Sequence, residues 1–320
     1  MLTITDQQMT FDMCFVISKQ YAWSVHPTII QDLIHRYRKN HNIIFDFRDG
    51  EHVFLSGALE LIKETQRIFN IPREKILILS YFDIDVNFAR CICKKNDIYG
   101  FIAEGSSFIQ TINNDSFDKK MLSLSGRMDI FRLRLAKHLH TNWLNDSILS
   151  FKPNIADVRH YFRNDFSEHY QDEIEWAEQY TPIEVDNVKK FGGGSVSYLE
   201  SLSTSATYYH RYFLEIVIET DSKNPYWITE KTVRPIVFGK PFILFSGPYA
   251  LQHLRDLGFQ TFSPWIDESY DSIENQFERF DFIIKEIDRI AAMSYDQLTN
   301  IAKEMNDILI YNQKTLAKKY

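Results

Sequence analysis

Five segments in the first third of the chain alternate between two periods, and this alternation restricts the fold more than any other feature. Residues 13–17, 43–47 and 76–81 are short apolar runs of strand length, and residues 29–38 and 59–68 between them repeat apolar side chains at helical spacing. Parallel strands need a long crossover, so a helix between each successive pair predicts βαβ units and a parallel sheet. The rhythm returns downstream. Residues 121–124 read as a strand that breaks at Ser125 and Gly126 and leads into a helix with Met128, Phe131, Leu135 and Leu139 on one face. Residues 213–219 and 241–245 read as further strands. A helix from residue 272 onward repeats Ile273, Phe277, Phe280, Ile284 and Ile287, with Asp271 and Glu274 in a capping-box relation. A last helix, capped by Ser294 with Gln297, carries Leu298, Ile301, Met305, Ile308 and Leu316. Residues 160–210 are the least regular. An acidic stretch over 165–178 without Lys or Arg gives way to Lys189, Lys190, Phe191 and a triple glycine at 192–194, and the whole reads as an insertion or loop.

At 320 residues the chain exceeds what one hydrophobic core organises, so two domains are expected. No run of 18 apolar residues is present, and the first ten residues lack the basic and apolar regions of a signal peptide, which predicts a cytoplasmic protein without a membrane span. Cys14, Cys91 and Cys93 are odd in number, and the Cys-x-Cys pair has no further ligand nearby, so they read as reduced packing thiols with no metal. The net charge of −7 argues against a nucleic-acid partner for the chain as a whole. The acids are concentrated in the second half, which leaves the first half neutral to basic.

The segment richest in chemistry runs from Glu219 and Thr220 through a polar loop to Trp227, Ile228, Thr229, Glu230, Lys231, Thr232, Val233, Arg234 and Pro235, then to Gly239, Lys240, Pro241 and Phe242. It reads as a strand, a loop and a helix start. Thr229 is placed to cap the helix, so the positive end of the helix dipole faces the loop and favours an anion there. Lys231 and Arg234, three apart, are expected to converge on one diphosphate, and Glu230 adds an acceptor for sugar or ribose hydroxyls. Pro235 limits the helix to a short one. A second strand-to-helix turn, Ser125, Gly126 and Arg127 followed by Arg132, is a further candidate anion site. Thr-Glu-Lys alone is also an ordinary helix start, and both arginines also fit solvated helix faces or a salt bridge between domains.

With these residues in view, the stretch over 213–270, including Gly258, Phe259, Trp265, Asp267, Glu268 and Tyr270, resembles the donor-site signature of the α-1,3-fucosyltransferases and of related phage and giant-virus glycosyltransferases. The resemblance implies an α/β fold of two Rossmann-like domains facing a cleft, the GT-B type. Residues 1–115 would form the acceptor-side domain and 116–292 the nucleotide-sugar-binding domain with an irregular insertion at 160–210. Residues 293–320 would be a terminal helix free to return to the first domain. It implies that Glu230 and Lys231 contact a UDP- or GDP-type sugar donor, with Thr229, Arg234, Glu219, Arg127 and Arg132 around them, and that no metal or further cofactor is needed. Ser125 stands where the phage-type enzymes carry Asn, and their additional arginine and proline are absent.

Transfer to a hydroxyl needs a base to take the acceptor proton. Asp46, Asp49 and Glu51, after the strand at 43–47, are the candidates, with His26 behind them. Asp83 and Asp85 imitate the Asp-x-Asp metal site of the other large transferase architecture. The triple glycine lacks the lysine of a P-loop, which removes kinase and ATPase readings. From another class, a catalytically silent two-lobed binding or scaffold protein is the alternative. For the acceptor, the resemblance and a composition rich in Ile, Asn and Lys point to hydroxymethylated bases of phage DNA, in the host cytoplasm. His35, Arg36, Arg38, Lys39, His41, Lys94 and Lys95 supply positive charge, and Tyr21 and Trp23 are candidates to stack on a flipped base. A surface glycan or lipopolysaccharide is the competing acceptor, which the acidic total favours.

Overall fold

The computed structural model of the chain describes residues 3–4, 9–10, 13–16, 43–46, 62–63, 66–68, 70–80, 87, 89–93, 109, 116–162, 170–183 and 208–318. The fold is α/β with parallel sheets, and the chain divides into two compact units, residues 1–97 and 98–320. In the first unit a two-residue ribbon, β1 (Thr3–Ile4) with β2 (Met9–Thr10), precedes a parallel sheet. That sheet contains β3 (Met13–Val16), β4 (Ile43–Asp46), β5 (Ile76–Ser80) and β6 (Arg90–Cys93), in chain order. Successive residues Ile76, Leu77 and Ile78 are all buried, as expected of a parallel strand covered on both faces.

The second unit is built on β7 (Lys119–Ser125), β8 (Ser147–Phe151), β9 (Tyr212–Ile218) and β10 (Phe242–Phe245), all parallel, in the order β10-β9-β7-β8. The chain steps from β7 to β8 in one direction and then returns past β7 to lay down β9 and β10 in the other. Because parallel crossovers are right-handed, this reversal sends α1 (Ile130–Asn142), which follows β7, and α4 (Glu230–Val237), which follows β9, to opposite faces. On one face, Phe131 of α1 meets Phe245 of β10 at 4.7 Å and Phe280 of α6 (Gln276–Ala291) at 5.2 Å. On the other, α7 (Tyr295–Lys318) packs against α4 and β9. Among the described residues no helix is long and apolar enough to cross a membrane.

Two expectations are corrected here. The helix expected from residue 272 starts at Gln276, capped by Asn275, which accepts the N–H groups of Phe277 and Glu278. Asp271 is unavailable as its cap, because both its carboxylate oxygens receive N–H groups from α5 (Ala250–Asp256). A short helix α2 (Ile155–Tyr161) precedes the stretch read as irregular, and within that stretch α3 (Gln171–Tyr180) is regular. Asp172, Glu175 and Glu178 of α3 lie outward and Glu173 faces Lys137 of α1 at 4.0 Å, with Asp172 and Glu173 in the first turn where the dipole favours them, while Trp176 and Ala177 are buried. The last helix begins as read: Ser294 and Gln297 exchange side chain-to-backbone hydrogen bonds of 2.9 and 3.2 Å.

A buried polar network supports β9. Glu215 is fully buried, accepts two hydrogen bonds from Arg234, at 3.0 and 2.5 Å, and accepts the hydroxyls of Tyr209 and Tyr212 at 3.1 and 3.0 Å. Nearby, Lys240 is 1% exposed and donates to the Tyr212 carbonyl at 2.9 Å. Burial pushes its ammonium down to about 7, so the folded chain sheds a proton that the unfolded chain keeps until its ordinary value of 10.5. Stability contributed by this position therefore rises with pH between those values, by up to about 1.4 kcal/mol per pH unit. Lys240→Met is expected to abolish that rise, which urea midpoints at pH 7 and pH 9 would measure. An unchanged slope would show that Lys240 is not its source.

Candidate functional site

In an open parallel sheet, ligands gather at the carboxyl ends of the strands where the order reverses, because outgoing loops on either side diverge and leave a crevice. Here that point lies between β7 and β9. The chain leaves β7 through Gly126 and Arg127, and leaves β9 through Glu219 and Thr220. Arg127 is exposed at this edge.

Glu219 is the first residue after β9, and its backbone N–H continues the ladder by donating to the Phe245 carbonyl at 2.9 Å. Its side chain is wholly buried beneath the start of α4. Oε1 accepts the Thr229 N–H at 2.9 Å and the Thr232 hydroxyl at 2.7 Å, and Oε2 accepts the Thr229 hydroxyl at 2.7 Å. Thr229 has extended backbone at φ −121 and caps α4 by accepting the Lys231 N–H at 3.4 Å. The turn is thus fixed from the sheet below and from its own cap. Pro235 lies inside α4, which ends at Val237, shortly before Gly239 at φ +58 in the left-handed region.

Above this base sits the ammonium of Lys231, a quarter exposed. It lies 3.0 Å from the Thr229 hydroxyl, 3.1 Å from Glu230 Oε1 and 3.5 Å from Glu219 Oε2. Burial acts to raise the Glu230 carboxyl. The charge and hydrogen bond of Lys231, the residue's own N–H and the Thr229 hydroxyl outweigh it and hold the group below its usual value. At neutral pH the turn therefore presents a cation, an ionised carboxylate and the positive end of a helix within one small surface. This set suits a ligand that carries both an anion and hydroxyl groups.

Other expected contributors lie elsewhere. Arg234 does not join Lys231. Three residues further round the helix, its guanidinium is directed inward and is committed to Glu215. Arg132 is 4% exposed, not on a solvated helix face, and it donates to the Ile218 carbonyl at 3.2 Å and the Thr220 hydroxyl at 3.4 Å. It ties α1 to the end of β9, across the reversal. Trp265, Asp267, Glu268 and Tyr270 share one loop away from the turn, in which Tyr270 is buried and Asp267 exposed. Glu268 accepts the Phe262 N–H and the Thr261 hydroxyl, and the Tyr270 hydroxyl accepts the Leu244 N–H. Asp46 ends β4, while Asp49, Glu51 and His26 lie outside the described residues. So do Asp83, Asp85, the triple glycine, Tyr21, Trp23, His35, Arg36, Arg38, Lys39, His41, Lys94 and Lys95.

The loop between Glu219 and Thr229 is held by a residue that motif reading passes over. Arg279 is 1% exposed and donates to the carbonyls of Ser222, Ser246, Ile273 and Glu274, joining the exits of β9 and β10 to the entrance of α6. The periodicity carries a signal for it, since Arg279 falls on the buried stripe with Ile283 and Ile290. Close approach also fixes the loop. A Cβ on Gly247 would lie 2.2 Å from the carbonyl carbon of Asn224, so only glycine fits where the two loops touch. A cavity of about 670 Å³ lies apart from this turn, lined by Arg255, Trp265, Asp267 and Arg289 among others, and contains none of residues 219–231.

Comparison of the chain with protein-family models, with curated proteins and with solved structures finds no match.

Proposed function

We propose that this chain is a glycosyltransferase that moves a sugar from a nucleoside-diphosphate sugar to a hydroxyl acceptor, with two Rossmann-like domains of the GT-B type. The observation that carries the reading is the turn of Thr229, Glu230 and Lys231, locked by Glu219 beside the reversal in strand order. As the bond between sugar and diphosphate breaks, negative charge builds on the departing phosphate. A fixed ammonium and a helix N-terminus stabilise that charge without reorganising. Glu230 accepts hydroxyls of the sugar or ribose. Asp221 and Asn224, in the adjoining loop, each keep a buried polar atom without a protein partner among the described residues, an acceptor and a donor that hydroxyl groups complement. Asp46, Asp49 and Glu51 are the proposed sources of the base, and metal is not required. The acceptor proposed is a hydroxymethylated base of phage DNA, with a surface glycan or lipopolysaccharide as the alternative.

The test is a thermal-shift series of the purified chain with UDP, GDP, CMP and dTDP, with and without Mg²⁺. A rise with one nucleoside diphosphate, independent of Mg²⁺, is expected. No rise with any of them removes the donor site and favours the catalytically silent scaffold. A rise that requires Mg²⁺ would favour a metal-dependent mechanism.

A further inference from the structure

Tyr249, the residue before α5, has φ +65 and ψ 19, in the left-handed region that a bulky side chain enters only under strain. One neighbour holds it there. Asp271 accepts the Tyr249 N–H at its carbonyl, at 2.6 Å, and its two carboxylate oxygens accept the N–H groups of Leu251 and Gln252 at 2.9 and 3.0 Å. The preceding turn is bound to the loop that leads to Thr229. The Ser246 hydroxyl donates to the carbonyls of Asn224 and Trp227 at 3.4 and 3.2 Å, and Gly247 touches the Asn224 backbone. One helical turn past Tyr249, the His253 ring meets Tyr226 edge-on at 4.8 Å.

Core packing does not account for this arrangement, because the Tyr249 side chain that the strained backbone presents is 50% exposed. Strain that is over-determined by its surroundings and not offset by burial marks a position with a task outside the fold. Tyr249 stands at the carboxyl edge of the sheet, where β10 ends, one strand over from the exit of β9 that carries the Glu219 turn. An exposed ring on a fixed backbone at that place offers a flat π-face, and every nucleobase has a face to match it.

We propose that Tyr249 is the stacking platform for the base of the nucleoside diphosphate whose phosphates the Thr229 to Lys231 turn receives, an inference that rests on the donor-site reading above. The phosphates and the base are then held by two separate elements, the start of α4 and the start of α5, linked by the loop of residues 221–228.

Isothermal titration of the wild type, Tyr249→Phe and Tyr249→Asn with UDP, GDP, CDP, dTDP and inorganic pyrophosphate tests it. Asparagine is chosen because it tolerates the left-handed region and lacks a ring, so the Asn variant should melt no lower than the wild type. The nucleoside diphosphate that the wild type binds is expected to bind Tyr249→Asn about tenfold or more weakly, the size of one lost base–aromatic stack. Pyrophosphate should bind all three proteins equally, and Tyr249→Phe should match the wild type. If the Asn variant binds that nucleoside diphosphate undiminished, or loses pyrophosphate to the same degree, the platform is overturned while the donor site stands. A wild type that binds none of the nucleoside diphosphates overturns the donor-site reading and the platform together.

Discussion

On the proposed function, Lys231→Ala is expected to lower turnover of the nucleotide sugar by about 10²- to 10³-fold, the effect of deleting one fixed charge-stabilising group from such a site. Its melting temperature should barely move. The ammonium is partly exposed, and Glu219, which loses a positive charge 3.5 Å away, keeps three hydrogen bonds from Thr229 and Thr232. Hydrolysis of the donor, followed as release of nucleoside diphosphate, is a sufficient assay before the acceptor is known. The informative contrast is between rate and stability. A variant that melts early and loses activity only in proportion would make Lys231 a structural partner of Glu219. A variant with full turnover would dissociate the turn from the chemistry altogether.

Arg279→Met is expected to cost about 3–5 kcal/mol, because several buried carbonyls lose their donor at about 1–3 kcal/mol each, and to lower the melting temperature by roughly 10 °C in a unit of this size. Methionine approximates the volume but leaves the carbonyls of Ser222, Ser246, Ile273 and Glu274 without their common donor. The guanidinium also lies 5.5 Å from the centre of the Phe245 ring, a contact that lysine only partly restores. Arg279→Lys should therefore recover a fraction of the loss. Thermal melts of both variants settle the point, and a cost under about 1 kcal/mol would mean that the three segments hold together without the clamp.

Sequence patterns revealed β7, β9, β10, α1, α4 and α7 because those elements obey local rules, whereas β8, α3 and α5 were not read from them. The strand now seen at Tyr212–Ile218 is a run of apolar residues interrupted only by Glu215, and Thr229, Ser294 and Gln297 cap helices by interactions spanning three residues or fewer. The start of the candidate site was legible for the same reason, since Thr229, Glu230 and Lys231 are neighbours in sequence. What escaped were bonds between distant segments. Asp271 looks like the cap of the helix that follows it, yet it caps α5, twenty residues earlier, and nothing in its immediate neighbours announces the choice. Arg234 has the spacing to join Lys231, but Glu215 on the strand beneath claims it. The charge on Glu215 is the trace of that pairing, since an isolated acid within a fully buried strand demands a partner. Arg132 was similarly readable as a surface cation until the carbonyl of Ile218 was placed beside it.

The two oxygens of Glu219 also bear on how the turn behaves in time. They accept from Thr229 and Thr232 and belong to a residue whose backbone is part of the sheet ladder, so the first turn of α4 moves with the sheet and not with the loop that precedes it. Fluctuations of residues 221–228 are taken up between two fixed ends, Glu219 and Thr229. A ligand arriving at this surface meets donors already in place, and the loss of freedom that orders them is met once, when the chain folds, and not again at each encounter.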